Sequence, residues 1–206
     1  QTPFCVVATA GTTVRGAFDP IKEIAEICSN HNIWLHVDAA WGGSCMFSAN
    51  HRSLMDGVEL ADSVCWDAHK MMGVPLICSA FLIKRPDILR TICSHGDVAH
   101  YLFHGETEDV DLGRISLQCG RRNDALKLFL AWREIGDAGW ARLIESYVSL
   151  ADYLESTVNS HDKLEMRSQR VWSNVCFRYT VDGIDHNDVN NQIRERLVKS
   201  GNFMVS

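Results

Sequence analysis

The chain has 206 residues, of which 46% are hydrophobic and 22% charged, a composition typical of a globular protein with a sizeable core. Its formal net charge of −6 at pH 7 excludes a globally basic nucleic-acid-binding protein. No apolar run approaches the ~18 residues of a membrane span, and the first residues do not resemble a secretory signal peptide. We therefore expect neither a nucleic-acid nor a membrane partner.

Eight cysteines are spread along the chain at gaps of 13 to 57 residues. No CxxC pair and no Cys/His pair at zinc-finger spacing occurs. Several cysteines sit inside apolar runs, where a thiol acts as a small buried hydrophobic group. The pattern predicts free thiols in a reducing, cytoplasmic compartment. The histidines and acids between His95 and Glu106 fit no strong ligand pattern, so we expect a solvated loop there and no metal site.

The first half of the chain predicts strands that alternate with helices. Asp19 and Pro20 are placed to begin a helix, as its N-cap and first helical residue, and Asn30 to Asn32 end it. The expected core-facing stripe of this helix is Ile21, Ile24, Ala25, Ile27 and Cys28. The predicted strands are 4–8, 33–38, 63–66 and 77–83. Because these strands are apolar on both faces, we expect an α/β fold with a parallel sheet covered by helices.

From about Arg122 the pattern becomes helical. Residues 125–132 are apolar nearly all round, which predicts a buried helix, and Gly136 and Gly139 interrupt it. An apolar stripe then predicts a long amphipathic helix over 140–158. The remaining expected elements are strands at 164–167 and 174–181, a helix capped by Asp185 and ended by Gly201, and a strand beginning at 203–205.

Polar residues follow the ends of the first three predicted strands. Thr13 comes after the first strand, Asp38 ends the second, and residues 67–70 (Asp-Ala-His-Lys) follow the third. The carboxyl ends of parallel strands lie at one edge of a sheet, which is where ligands bind in such folds. The sequence therefore predicts a functional site at this edge.

Lys70 is the candidate nucleophile of this site. An amine placed just past a strand end, among His and apolar residues, could be desolvated and have its pKa lowered. A lysine with a lowered pKa forms a Schiff base with an aldehyde. The alternative is an ordinary surface lysine, because most lysines are exposed.

Asp38 is the second candidate, since it ends an apolar strand and is followed by small residues. Its carboxylate could pair with a ring nitrogen lying over Ala40. Pyridoxal phosphate (PLP) needs such a partner, because its protonated ring is the electron sink of the reaction. The alternative is an aspartate that caps the next turn.

Four motifs stand in order along the chain: HVDAAWGG at 36–43, SVCWDAHKMMG at 63–73, YLF at 101–103 and QCGRR at 118–122. Together they resemble the PLP-dependent group II amino-acid decarboxylases, most of all the branch that acts on glutamate, cysteine sulfinate and aspartate. The resemblance covers essentially the whole chain. It implies the aspartate aminotransferase fold, fold type I. Residues 1–138 would be the C-terminal portion of the PLP-binding large domain, and 139–206 the connecting helix and the beginning of a small α+β domain.

The resemblance also implies a role for each matching residue. Lys70 would hold PLP as the internal aldimine, and Asp38 would pair with the pyridine nitrogen. Ala40 would pack on the ring face, and Thr13 would lie close to the ring hydroxyl. His69, a further catalytic candidate, would lie near the phosphate and the aldimine.

Three more residues take their roles from the resemblance. Tyr101 matches a tyrosine of a mobile loop that is implicated in protonating the quinonoid carbon. Cys119 and Gly120 match a pair that contacts the cofactor phosphate across a homodimer interface. The active site would then lie between two subunits.

Two positions depart from the family's pattern. Asp67 stands where many relatives carry Asn, and a carboxylate repels a phosphate unless a cation or proton intervenes. The spacing from Lys70 to Tyr101 is also slightly longer than usual. In addition, the family's phosphate cup and its carboxylate-binding arginine have no match within the chain, which we therefore expect to be an internal fragment.

Three functions follow from these observations. The first is PLP-dependent decarboxylation of an acidic L-amino acid: glutamate, aspartate or cysteine sulfinate. The second is other PLP chemistry on the same fold, by an aminotransferase or a lyase. The third is a fragment without activity that serves a structural or interaction role.

Overall fold

A computed structural model describes residues 2–93, 112–118, 120–183 and 185–205. The strands are β1 (Cys5–Thr9), β2 (Trp34–Asp38), β3 (Ser63–Asp67), β4 (Ser79–Ile83), β5 (Leu164–Met166) and β6 (Phe177–Tyr179). The α-helices are α1 (Ile21–His31), α2 (Pro86–Cys93), α3 (Asp124–Asn159) and α4 (His186–Ser200). The predicted alternation of strand and helix is therefore present in the first half of the chain.

The main sheet has the strand order β1-β2-β3-β4. The pairs β1–β2 and β2–β3 are parallel, as the sequence predicts, whereas β4 is antiparallel to β3. The expectation of a parallel sheet is thus wrong for the last strand. Residues 68–78 connect β3 to β4, and these 11 residues are too few for the crossover of a dozen or more that a parallel return requires.

Helix α1 begins one residue later than predicted, and Asp19 does not cap it. Pro20 occupies the N-cap position, and no side chain accepts a hydrogen bond there. The Asp19 carboxylate instead accepts the Thr9 backbone N–H at 2.7 Å, because this amide at the end of β1 lies within its reach. Ile21, Ala25 and Cys28 are buried as expected. Ile27, by contrast, is 59% exposed.

Helix α3 bends at Gly136, whose φ of 67° and ψ of 169° are not helical. After the bend the predicted stripe is buried through Trp140, Ile144, Val148, Ala151 and Val158. Before the bend the prediction of a buried helix is wrong, since Leu126, Phe129 and Leu130 are each about half exposed. Only one side of this apolar segment packs on the described part of the chain, through Leu128, Ala131 and Trp132.

The C-terminal elements form a second, smaller sheet and a helix. Strands β5 and β6 are antiparallel, and β6 is much shorter than the predicted 174–181. Helix α4 has the predicted ends, because the Asp185 side chain accepts the Asn187 N–H at 2.8 Å and Gly201 is left-handed with φ 70°. Residues 203–205 are not a strand, and no described strand pairs with them.

The core joins the main sheet to helix α3. Leu35 and Val37 of β2 are buried in it, and Trp140, Ile144 and Trp172 complete its far side. The part of α3 that follows the bend therefore packs against the first half of the chain. The division into units at residue 138 stays a prediction.

The seven cysteines that the structure describes are free thiols, and Cys119 lies outside the described residues. Among the described helices, none combines the length and hydropathy that crossing a bilayer requires.

Candidate functional site

The three predicted polar groups lie at the edge of the main sheet where β1, β2 and β3 end. Asp38 at the end of β2 is paired in register with Thr9 of β1 and with Cys65 of β3. The turn that carries Lys70 begins where β3 ends. Thr13 lies in the turn that follows β1, and its side chain is exposed. The parallel register therefore places these residues at one edge, as ligand sites in α/β sheets are.

The Asp38 carboxylate is held through one of its oxygens. Oδ1 accepts the Ala40 N–H at 3.1 Å and faces the Cys65 Sγ at 3.4 Å. Burial raises the pKa of the Cys65 thiol, and its hydrogen bond to Asp38 and the Asp38 charge raise it further, so Cys65 remains a protonated donor. Asp38 Oδ2 has no hydrogen-bond donor among the described residues and can accept one from a ligand. The alternative, in which Asp38 only caps the next turn, explains the hydrogen bond at Oδ1 but assigns no role to Oδ2.

The small residues after Asp38 allow two backbone segments to touch. Gly42 donates its N–H to the Ala10 carbonyl at 3.0 Å. A Cβ on Gly42 would lie 2.5 Å from that oxygen, so only glycine fits at this position. Residues Gly42–Phe47 then form a 3-10 helix. The glycines of the HVDAAWGG motif thus hold the loop after β2 against the turn after β1, with Ala40 at its partly exposed edge.

Lys70 projects from a tight turn whose apolar side chains are buried. Ala68, Met71 and Met72 are each at most 5% exposed, and the Lys70 N–H bonds to the Asp67 carbonyl at 3.1 Å. The Lys70 side chain is 38% exposed, and its Nζ lies 3.0 Å from Asp67 Oδ2. In the described chain the amine is therefore partly exposed and paired with a carboxylate, and its desolvation stays a prediction.

Asp67 is the charged partner of the whole turn. Burial raises the pKa of its carboxyl, but hydrogen bonds from Ser79 and Lys70 and the Lys70 and His69 charges outweigh burial, so the pKa is lowered overall. Asp67 therefore stays ionised and directs its charge to Lys70. This pairing answers the concern raised by an aspartate at this position, because a cation neutralises it.

The His69 ring is fixed between β4 and Asp67. Its Nδ1 lies 2.9 Å from the Cys78 carbonyl oxygen and 3.1 Å from the Cys78 N, so either tautomer has a partner on Cys78. The Nε2 atom lies 3.9 Å from Asp67 Oδ2. The ring is thus held by the backbone beside β4 and presents Nε2 to the turn that bears Lys70.

Of the remaining predicted site residues, the structure describes only Gly120. It is exposed in the segment before α3, and a Cβ placed on it would meet no described atom within 4 Å. Tyr101 and Cys119 lie outside the described residues. Within the described ranges, no group of three or more His, Cys, Asp and Glu side chains could hold a metal ion.

Sequence reasoning missed three residues that shape the site. Cys65 bonds Asp38, Cys78 holds His69, and the Asn174 side chain donates to the Thr13 carbonyl at 2.8 Å. The sequence predicts Cys65 and Cys78 only as apolar residues of strands. The alternation of side chains along each strand was the only indication of which way they face. Asn174 starts a run predicted as strand, and nothing local relates it to a turn 161 residues earlier.

Comparison with known proteins identifies the family. The model of the pyridoxal-dependent decarboxylase conserved domain matches residues 1–180. This chain belongs to the pyridoxal-dependent decarboxylase family. The motifs around Asp38 and Lys70 lie inside the matched region, and the predicted family is confirmed. The cofactor that membership implies is PLP, as the sequence also predicts.

Named relatives narrow the likeness further. The chain is 42% identical to human cysteine sulfinic acid decarboxylase over 217 aligned positions, covering 98% of this chain and 44% of that protein. It is 38% identical to bovine acidic amino acid decarboxylase GADL1, covering 98% of this chain and 42% of that protein. The chain thus spans less than half the length of these curated relatives.

Solved structures confirm the predicted fold class. Mouse CSAD in its apo form superposes with a TM-score of 0.88 at 38% identity, over 99% of this chain and 45% of that one. Oryza sativa TDC with PLP and tryptamine superposes with a TM-score of 0.92 at 30% identity, over 100% of this chain and 44% of that one. The chain therefore has the α/β architecture of fold type I PLP enzymes.

Proposed function

We propose that this chain carries the PLP-binding lysine and aspartate of a decarboxylase that acts on an acidic L-amino acid. The observation that carries the proposal is the pairing of β2 with β3, which brings Asp38 and the Lys70 turn to one sheet edge in a member of the pyridoxal-dependent decarboxylase family. Cysteine sulfinate, aspartate and glutamate are the candidate substrates, since relatives at 38–42% identity are named for cysteine sulfinic acid and acidic amino acids.

The residues present fit PLP by their chemistry. The ring nitrogen of PLP, when protonated, needs an anionic acceptor, and Asp38 offers Oδ2 without a competing donor among the described residues. The aldehyde needs a primary amine, and the Lys70 Nζ is exposed on its turn. The flat ring needs a surface without bulky side chains, and Ala40 supplies one beside Asp38. These three requirements are met at one edge of one sheet.

Each residue would make a distinct contribution. Lys70 would bind the cofactor covalently, and Asp38 would hold a proton at the ring nitrogen. Ala40 would support the ring face, Thr13 would lie near the ring hydroxyl, and His69 would act beside Lys70. When bound, PLP supplies an electron-withdrawing ring that accepts the electron pair of the bond broken as CO2 leaves.

Asp67 and its neighbours prepare the Lys70 amine. The carboxylate holds the amine at 3.0 Å and so restricts where the flexible side chain can go. Restricting the side chain before its partner arrives lowers the entropic cost of the encounter, and the ion-paired ammonium must release its proton to solvent before the neutral amine attacks the aldehyde. The buried Met71 and Met72 fix the turn itself, and His69 is locked to Cys78. The amine therefore starts from a defined position.

The remaining assignments concern the subunit interface, the proton donor, the compartment and the two domains. A homodimer would use Cys119 and Gly120 at the phosphate of the partner's site, and the exposed apolar side of α3 begins only a few residues later. Tyr101 would return a proton to the substrate carbon. The free thiols among the described cysteines support a reducing compartment, and we propose the cytoplasm. Residues 1–138 would belong to the large domain and 139–206 to the small one.

Product analysis tests the proposal. The purified chain, with PLP, is offered cysteine sulfinate, aspartate and glutamate in turn, and both CO2 and the organic product are measured. We expect CO2 and the matching amine from at least one acid, and none from Lys70→Ala. A keto acid without CO2 would indicate an aminotransferase instead, and PLP binding without any product would indicate a fragment that has no activity by itself.

A further inference from the structure

Asn174 spans two segments of the site edge with one side-chain amide. Its Nδ2 donates to the Thr13 carbonyl at 2.8 Å and to the Val14 carbonyl at 3.2 Å. Its Oδ1 accepts the Trp41 Nε1–H at 2.7 Å. Trp41 directly follows Ala40, and Thr13 and Val14 form the turn after β1. The amide therefore links the turn of Thr13 to the loop of Asp38 and Ala40.

The turn is built to receive this amide. It closes on itself through the Gly16 N–H to the Thr12 carbonyl at 2.8 Å and the Ala17 N–H to Thr12 Oγ1 at 3.0 Å. Gly16 is left-handed with φ 62°, and a Cβ there would lie 2.8 Å from Asn174 Oδ1. Glycine at this position thus lets the turn approach Asn174 closely.

A second contact comes from the same segment of the chain. The Cys176 Sγ lies 3.0 Å from the Val14 carbonyl oxygen, and Trp172, which is fully buried, donates its Nε1–H to Met71 Sδ at 3.2 Å. Met71 lies next to Lys70. Residues 172–176 therefore touch all three parts of the site edge, with Asn174 in the middle.

The direction of Thr13 depends on this amide. A peptide carbonyl that accepts a hydrogen bond has its plane fixed, and the carbonyls of Thr13 and Val14 are fixed by the same Nδ2. The planes on both sides of residue 14 are then set relative to Trp41. No other described side chain bonds the backbone of Thr13, so without Asn174 the turn would keep its internal bonds and the Cys176 contact to the Val14 carbonyl, but it would lose its link to Trp41.

We propose that Asn174 is a positioning residue of the cofactor site, which holds the turn of Thr13 in register with the loop of Asp38 and Ala40. It acts through these segments and does not itself touch the cofactor. The proposal deepens the proposed function and rests on it, because the turn matters to PLP only if PLP binds at this edge. Whether Asn174 holds this turn in place can nevertheless be measured without any cofactor.

The chain offers a matched control in Asn190. Its side chain also makes three hydrogen bonds, to the N–H and carbonyl of Tyr179 and to the His186 carbonyl, at 2.7 to 2.8 Å. Like Asn174 it is half-buried, but it joins β6 to α4, away from the site edge. Asn190→Ala therefore removes as many hydrogen bonds without touching the turn.

The first experiment is amide hydrogen exchange on the chain without cofactor. In Asn174→Ala we expect the Gly16 and Ala17 amides to exchange about tenfold faster than in the parent, because the turn opens more often. Asn190→Ala should leave both rates unchanged. Asn174→Asp keeps an acceptor for Trp41 but loses the Nδ2 donor, so it should loosen the turn as Asn174→Ala does. Unchanged exchange in both Asn174 variants overturns the proposal.

The second experiment is a titration with pyridoxal 5′-phosphate, followed by absorbance. Asn174→Ala should bind PLP about tenfold more weakly and shift the ratio of the two absorption bands of the bound cofactor, since Thr13 is proposed to lie near the ring hydroxyl. Asn190→Ala should change neither quantity. Equal weakening in both variants would mean a general loss of stability and overturn the positioning role.

The two experiments separate two kinds of failure. A parent chain that takes up no PLP at all contradicts the proposed function, while the exchange rates still decide whether Asn174 holds the turn. If Asn174→Ala does not fold, Trp41→Phe removes the other end of the same link. We then expect faster exchange in the loop after β2, and unchanged exchange there would count against the link.

Discussion

The main sheet and the C-terminal elements both consist of strands and helices, but their side chains are buried to very different extents. In β2, Leu35 and Val37 are at most 1% exposed, whereas α4 contains no buried residue and β6 is partly exposed throughout. The main sheet is stabilised by its own core. The segment between β5 and β6 reaches the first half through Trp172 and Asn174, and its Arg170 pairs with Asp152 and Glu155 of α3.

This difference shows which parts of the fold serve the site. The rigid ends of β1, β2 and β3 present the reactive side chains, because a well-packed sheet holds its edge in place. The C-terminal part contributes one connecting segment, and the strands and helix around it support that segment. Substitutions in each part of the chain can test this division of roles.

The largest effect is expected at Lys70, whose amine we assign to covalent cofactor binding. In Lys70→Ala, borohydride reduction of the PLP-loaded protein should attach no pyridoxyl group. Peptide mapping of the parent should find the label on Lys70. Lys127 is the informative control, since its Nζ is committed to Asp124 at 2.7 Å and to the Ile77 carbonyl at 2.7 Å. Label on Lys127 or Lys84 would contradict the assignment.

Asp38→Asn should keep PLP bound but lower the rate of decarboxylation about a thousandfold, or ~4 kcal/mol at ~1.4 kcal/mol per tenfold. An amide cannot hold a proton at the ring nitrogen as a carboxylate does. Asp62→Asn is the control, because Asp62 accepts the Leu35 N–H at 2.8 Å and so serves β2 without reaching its carboxyl end. Near-normal turnover in Asp38→Asn would refute the role.

Two leucine truncations measure the contrast between the sheet and the C-terminal part. Leu35→Ala should lower the free energy of unfolding by about 2–5 kcal/mol, as is typical of a fully buried leucine. Leu197→Ala, in α4, should lower it by about 1 kcal/mol or less, because that side chain is only partly buried. Chemical denaturation followed by circular dichroism gives both values. Comparable losses would mean that the two parts share one core.

Tyr101 extends the test to a residue outside the described ranges. Tyr101→Phe should retain PLP and part of the CO2 release. Formation of the normal amine product should fall about tenfold, and pyridoxamine phosphate should accumulate. A phenol with its pKa near ~10 keeps its proton at neutral pH and can donate it. Chromatography of the products and the cofactor measures the ratio of amine to pyridoxamine phosphate. Amine formed at the parental rate would make Tyr101 a packing residue.

The smallest effect concerns acid stability and Asp67. Its pKa in the folded chain lies below the ordinary 3.8, so folding favours the ionised form. The resulting stabilisation is present above that ordinary pKa and is lost as the pH falls through the lowered one. The difference in free energy of unfolding between the parent and Asp67→Asn should therefore shrink as the pH falls from 5 to 2. A difference that stays constant over that range of about three pH units would contradict the linkage.

The sequence by itself determined the elements whose signals are local. The strand ending in Asp38, the turn bearing Lys70, the bend at Gly136 and both ends of α4 follow from short-range patterns of apolar, capping and glycine residues. The linked motifs also identified the family and its cofactor. These features need only neighbouring residues, because caps and strand ends are decided within a few positions.

Only the tertiary structure decided the features that join distant segments. Asp19 accepts the Thr9 amide at the end of β1 instead of capping α1. The half-exposed Phe129 and Leu130 depend on what packs beside them, which their own pattern does not reveal. Asn174 meets Thr13 across 161 residues, and hydrogen bonds over such a separation follow from the path of the whole chain and have no signal in the neighbouring sequence.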